Sequence, residues 1–200
     1  MPKAILFLDA NVLYSACVRD ILLELAIANL CQCRWSEKVL EETRQALLRE
    51  RLDISRRHTE RLFVLMSKAC PEALRQASRP LPASSMAYAS PSDLHVVQAA
   101  YAAHAAIILT FNLRHFYSKA LAELNLSVAS PDAWLTELIA REPDRCLQAM
   151  ESCRRRLQRP SLSRQAHLEA MRRAGLVRFS AKLRSANPPA PTSSPREGLG

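Results

Sequence analysis

The sequence predicts an α/β fold, a three-layer sandwich of helices around a parallel sheet of four to five strands, with an α-helical C-terminal extension. Three observations predict it. Short apolar runs alternate with segments of helical periodicity over the first 140 residues. The strand-like runs are apolar throughout rather than alternating, as strands covered on both faces are. From Asp144 onward the pattern is helical only.

The first run, Ala4 to Leu8 in "AILFLDANVLY", reads as a buried strand that ends on Asp9. Val12 to Leu30, rich in Leu, Ile and Ala, reads as one crossover helix, with Asn11 as its cap. Cys31 to Trp35 is the next strand. Ser36 caps a helix from Glu37 to about Leu52, and Ser55 caps another that runs through Leu62, Leu65 and Met66 and stops before Pro71. The stretch Ser78 to Ser90 reads as a loop with a short strand near Met86 to Ala89. Ser90 then caps a helix that opens on Pro91 and continues to about His104. "AIILT" is the third buried strand, and Ser127 to Ala129 the last, before a second cap-and-proline pair, Ser130-Pro131. In the extension Cys146, Leu147, Met150, Cys153 and Leu157 recur at helical spacing, and Gly175 ends a second helix holding Leu168 and Met171. The domains expected are 1–140 for the α/β unit, 141–185 for the basic helical extension and 186–200 for a Pro- and Ser-rich disordered tail.

Composition narrows the function. The chain has 200 residues and 48% hydrophobic content, ample for a core. Nowhere do eighteen apolar residues run together, and the apolar opening is too short for a signal peptide, so a soluble, cytoplasmic protein with no membrane role is expected. All three glycines lie at or beyond Gly175, which excludes a glycine-rich phosphate loop. The six cysteines form no C-x-x-C pair and read as reduced thiols. Charge is uneven: residues 1–140 hold 15 Lys and Arg against 14 acids, whereas 141–184 hold 12 against 4. A polyanionic partner for the C-terminal segment follows. Arg154, Arg155 and Arg156 are candidate contacts to a nucleic-acid backbone, set against the reading of a solvated helix face.

In an open parallel sheet, ligands collect beyond the carboxyl ends of the strands. Asp9 ends the first strand and Asn112 lies two residues past the third. Asp93 falls in the first turn of its helix, where it reads equally as a capping-box residue or as a ligand. Glu41 and Glu42 are neighbours on one helix, and only one of them can face a given pocket. Carboxylates drawn together from distant segments need a divalent cation to neutralise them, and oxygen ligands suit Mg²⁺ or Mn²⁺. A haloacid-dehalogenase-like phosphatase also starts with a strand and an aspartate, but it needs a second acid where this chain has Asn11.

Four segments, "FLDANVLYSACVRDILLELA", "RWSEKVLEETRQALL", "SDLHVVQAAYAAHAAIILTFNLRHF" and "SPDAWL", occur in this order. Together they resemble the PIN-domain ribonucleases, specifically the VapC-like toxins of type II toxin–antitoxin pairs, in a subgroup with a helical Arg-rich extension. The resemblance covers roughly residues 4 to 140. It implies a PIN-like fold and a Mg²⁺- or Mn²⁺-dependent endoribonuclease that hydrolyses RNA phosphodiesters with a metal-activated water. The catalytic positions it implies are Asp9, Glu42 rather than Glu41, Asp93 and Asn112. Of these Asp9, Asp93 and Glu42 would hold the metal, with Thr110 and Asn11 behind them. It also implies a cognate antitoxin and a homodimer. The chain departs from the pattern at His115, where the subgroup has an acid, and at "ASPS" before Asp93, a segment that is often acid-rich. With Asn112 in the fourth acidic position, the second reading is a catalytically weakened PIN-like module that binds RNA or an antitoxin.

Overall fold

The computed structural model describes residues 3–74, 80–82, 88–157 and 161–186. Its centre is a four-stranded, wholly parallel sheet in the order β2-β1-β3-β4, made of β1 (Ile5–Leu8), β2 (Gln32–Arg34), β3 (Ile107–Leu109) and β4 (Ser127–Ala129). Leu6, Phe7 and Leu8 are all fully buried although successive strand residues face opposite sides, so β1 is covered on both faces. Each such side chain contributes about 1.5–3 kcal/mol. That burial fixes where the next residue, Asp9, emerges.

The chain moves from β1 to its neighbour β2 on one side, and from β3 to β4 on the other. The gap between the ends of β1 and β3 is therefore the point where strand order reverses, and an open α/β sheet forms its ligand crevice there. Leu8 pairs with Leu109, and the Asp9 N–H extends the ladder by donating to the Leu109 carbonyl at 3.1 Å. Asp9 and Thr110 thus leave the sheet side by side.

The helices follow their caps. In α3 (Glu37–Glu50) the Ser36 hydroxyl accepts from the Val39 N–H at 3.3 Å, and α4 (Arg56–Ala69) opens on a capping box between Ser55 and His58. The single helix expected from Val12 to Leu30 is instead two, α1 (Ala10–Tyr14) and α2 (Ala16–Ile27), broken at the extended Ser15. The cap of α1 is Asp9, whose carboxylate accepts from the Ala10 N–H, and Asn11 lies inside the helix. The helix expected from Pro91 begins three residues later, as α5 (Leu94–Ala102), with Pro91 to Asp93 in a turn. Of the strand expected near Met86 to Ala89, residues 86 and 87 lie outside the described residues; Ala89 makes an isolated antiparallel bridge to Phe116.

After β3 come a short 3-10 turn (Leu113–His115) and α6 (Ser118–Glu123), and after β4 the chain is helical: α7 (Pro131–Arg141), α8 (Pro143–Arg156), α9 (Arg164–Arg173) and α10 (Val177–Ala186). Helix α10 packs on α7 and α9, and α8 packs on α2. The α9–α10 turn is made by Gly175 at φ +87°, the left-handed region that favours glycine. Ala186, the first residue of the expected tail, closes α10, and 187–200 lie outside the described residues. Among the described residues no helix is long and apolar enough to cross a membrane.

Candidate active site

At the strand-order reversal three side chains, those of Asp9, Asn11 and Thr110, form one closed hydrogen-bond network with the backbone N–H groups of Phe111 and Asn112. The Thr110 hydroxyl, fully buried, donates to Asp9 Oδ2 at 2.7 Å and accepts from the Asn11 amide and the Asn112 N–H, each at 3.0 Å. Asn11 also donates to Asp9 Oδ2 at 2.7 Å, and its carbonyl oxygen accepts from the Phe111 N–H at 3.0 Å. Thr110 therefore uses its one proton and both lone pairs. Asn11 is a cross-link between α1 and the segment after β3 rather than a helix cap.

Asp9 is only 5% exposed, and each of its hydrogen-bond partners is neutral. Burial raises its carboxyl above the ordinary value against the bonds from Thr110 and Ala10, and the charge of Asp93 adds to the rise while His95 opposes it. Asp93 and His95 thus lie within electrostatic reach of Asp9.

Asp93 sits at the start of α5. Ser90 and Ser92 both donate to its Oδ2, the latter at 2.7 Å, and His115 Nδ1 lies 3.2 Å from the same oxygen. Burial pushes this carboxyl up, but the two hydroxyls and the imidazole outweigh it and hold Asp93 below the ordinary value. The Ser90 side chain therefore serves the Asp93 carboxylate rather than a backbone N–H at the helix start.

The two adjacent glutamates part company. Glu41 bonds Arg44 and Gln45 of its own helix, whereas Glu42 turns to α5, where His95 Nε2 lies 3.1 Å from Oε1. His95, two residues beyond Asp93 in sequence, is the group of α5 that Glu42 meets. Asn112 is exposed beside the network, anchored through its backbone to Thr110.

The three arginines proposed for RNA lie elsewhere and are engaged. Arg154 grips Glu151 through Nε and Nη2 and the Leu162 carbonyl through Nη1. Arg155 bonds Glu151 at 2.8 Å, and Arg156 pairs at 3.3 Å with the buried Glu24 on α2. Arg154 and Arg156 thus tie α8 to its neighbours, whereas Arg155 pairs within its own helix.

The donor chemistry fits a hard divalent cation. The buried Asp9 carboxylate has only neutral hydrogen-bond partners and a second carboxylate acting on it, with His95 the one opposing charge, and the available donors are oxygens. No three His, Cys, Asp or Glu side chains among the described residues converge as a ready coordination shell, and the carboxylates hydrogen-bond Thr110, Asn11, Ser90, Ser92 and the two histidines.

Comparison with known families adds two matches. The PIN domain model matches residues 6–114, which span β1 through Asn112, and the VapC50 C-terminal domain matches residues 131–185, from the first residue of α7 to near the end of α10. Neither the curated proteins nor the solved structures contain a match. The PIN match covers more than half of the chain and includes Asp9, Glu42 and Asp93, so the chain belongs to the PIN domain family and carries a VapC50-type C-terminal domain behind it.

Proposed function

We propose that this chain is a metal-dependent endoribonuclease, the toxin of a toxin–antitoxin pair, that hydrolyses RNA phosphodiesters. Membership of the PIN and VapC families supports a nuclease. The single observation that carries the finer reading is the meeting of Asp9, Asp93 and the Glu42–His95 pair at the strand-order reversal, with Asp9 buried and without a cationic partner.

Asp9, Asp93 and Glu42 would hold Mg²⁺ or Mn²⁺, with Asn112 at the margin. When bound, the cation supplies neutralisation of the phosphodiester charge and a water acidic enough to attack near neutral pH. The chain does the positioning. Thr110 and Asn11 lock the Asp9 carboxylate in one orientation, and Ser90, Ser92 and His115 do the same for Asp93 and keep it charged. His95 tethers Glu42 across 53 residues of sequence. Attack by water leaves the 2′-hydroxyl out of the reaction, so the products carry 5′-phosphate and 3′-hydroxyl ends.

The test incubates the full chain, free of antitoxin, with total RNA and Mg²⁺ or Mn²⁺, beside Asp9→Asn and Asp93→Asn. Metal-dependent cleavage that both substitutions abolish supports the reading; cyclic phosphate ends overturn the mechanism. A second reading, a weakened module that binds RNA or an antitoxin, draws on Asn112 in the fourth position and on carboxylates already engaged by protein donors. Binding without cleavage by the unsubstituted chain supports it. A homodimer and a cognate antitoxin belong to the same toxin reading, and a short neighbouring reading frame encoding a DNA-binding protein would support the second partner.

A further inference from the structure

One large apolar side chain stands at the site without a role in the network. Phe111 directly follows Thr110 and precedes Asn112, and it is 38% exposed. Its backbone N–H is fixed to Asn11 at 3.0 Å, so the residue is set by the same network that sets Asp9. On its other side lies the C-terminal domain: a Cβ at Gly175 would fall 3.3 Å from Phe111 Cε1 and 3.9 Å from Cζ. Only glycine satisfies both the φ of +87° and the closeness of this ring.

The surroundings are basic. Arg114 follows the ring by three residues, and Arg173 and Arg178 flank Gly175; all three are exposed. Arg178 pairs with Asp132 at 3.4 Å, whereas Arg114 and Arg173 have no ion pair among the described residues. A second exposed ring, Tyr117 at 49%, closes the same segment beyond His115. An exposed aromatic residue, anchored through its backbone and met by the α9–α10 turn, with an arginine three residues on and another two residues before Gly175, is complementary to a stacked base with phosphates on either side.

Resting on the nuclease reading above, we infer that Phe111, backed by the α9–α10 turn at Gly175, is the stacking platform for one base of single-stranded RNA next to the scissile phosphate. Arg173 and Arg114 take the neighbouring phosphates. The VapC50-type domain then contributes to substrate binding through its α9–α10 corner and not through the arginines of α8.

The experiment uses the full chain carrying Asp9→Asn, which permits binding without cleavage, and single-stranded RNA oligonucleotides with 2-aminopurine at successive positions. One position is expected to be quenched on binding. Adding Phe111→Leu, which keeps apolar bulk but offers no ring, is expected to abolish that quenching and weaken binding about tenfold, and Phe111→Tyr to retain both. Arg173→Gln is expected to lower the salt dependence of binding by about one counterion. Unchanged quenching and affinity in Phe111→Leu overturn the inference. In the cleaving parent, an unchanged KM for Phe111→Leu also overturns it while the nuclease reading stands. Loss of quenching in a chain that binds but never cleaves supports the platform and overturns the nuclease; a chain that neither binds nor cleaves RNA overturns both.

Discussion

The Asp132 carboxylate, near the start of α7, accepts from the Phe179 N–H of α10 at 2.9 Å, across 47 residues of sequence. It also accepts from the Arg178 N–H at 3.2 Å and pairs with the Arg178 guanidinium. Helix α10 thus takes its N-terminal anion from another helix, and the same contact sets the α9–α10 corner against Phe111. Asp132→Ala is expected to cost about 1–2 kcal/mol and Asp132→Asn less, since the amide keeps an acceptor but loses the charge. Thermal melting reads the loss, and limited proteolysis of the variant should cut first around Gly175. A melt equal to the parent's would mean that apolar packing of α10 on α7 suffices.

Asp9 is predicted to weaken the fold it belongs to. Its carboxyl is raised above 3.8, so between that unfolded value and its own the folded chain holds more protons than the unfolded one. Stability therefore falls as pH rises through the window, and the cost persists at neutral pH. Asp9→Asn, which cannot ionise, is expected to lose this fall in stability across the acidic window, while giving up one of the two oxygens that accept from Ala10, Asn11 and Thr110. Mn²⁺ at a hundred times its dissociation constant should stabilise the parent by about 2.7 kcal/mol and leave Asp9→Asn unmoved. Equal metal shifts in both proteins would place the cation away from Asp9.

Thr110→Val keeps the shape of a fully buried side chain and removes its hydroxyl. The Asn112 N–H and the Asn11 amide each lose an acceptor and Asp9 loses a donor, at a cost of about 1–3 kcal/mol. Because the hydroxyl orients Asp9, cleavage is expected to fall about ten- to a hundredfold, with Thr110→Ser restoring it. Full activity in a melted-down Thr110→Val would confine the hydroxyl to stability.

The strands and most caps were legible because they rest on local chemistry: Ser36, Ser55 and Ser130 each accept from a backbone N–H at the start of a helix. The break at Ser15 was not, since α1 and α2 have one apolar character and only the pull of Asp9 as a cap starts the chain early. Asp9 was legible from a strand that ends on an acid. His95 and Phe111 were not, because their meaning depends on what faces them: Glu42 comes from 53 positions away and Gly175 from beyond the PIN region. Helix α10 was hidden for a related reason, as its capping group Asp132 lies in another helix.

His167 on α9 makes the C-terminal domain sensitive to acid. The residue is 5% exposed, and burial, reinforced by the Arg154 charge and opposed by Glu151, lowers its imidazole below 6.5. Between that lowered value and 6.5 the unfolded chain binds the extra proton, so this contribution is whole above pH 6.5 and is lost as pH falls through the window. His167 lines a cavity between α8, α9 and α10 together with Met150, Glu151, Arg154, Met171 and Leu183. His167→Gln is therefore expected to flatten the fall in melting temperature between neutral and mildly acidic pH. Arg154→Gln should raise the NMR titration midpoint of the His167 ring toward 6.5 without abolishing the shift, because burial remains the larger cause. A parent midpoint at or above 6.5 would show that water reaches the ring and that α9 is held more loosely against α8 than its packing implies.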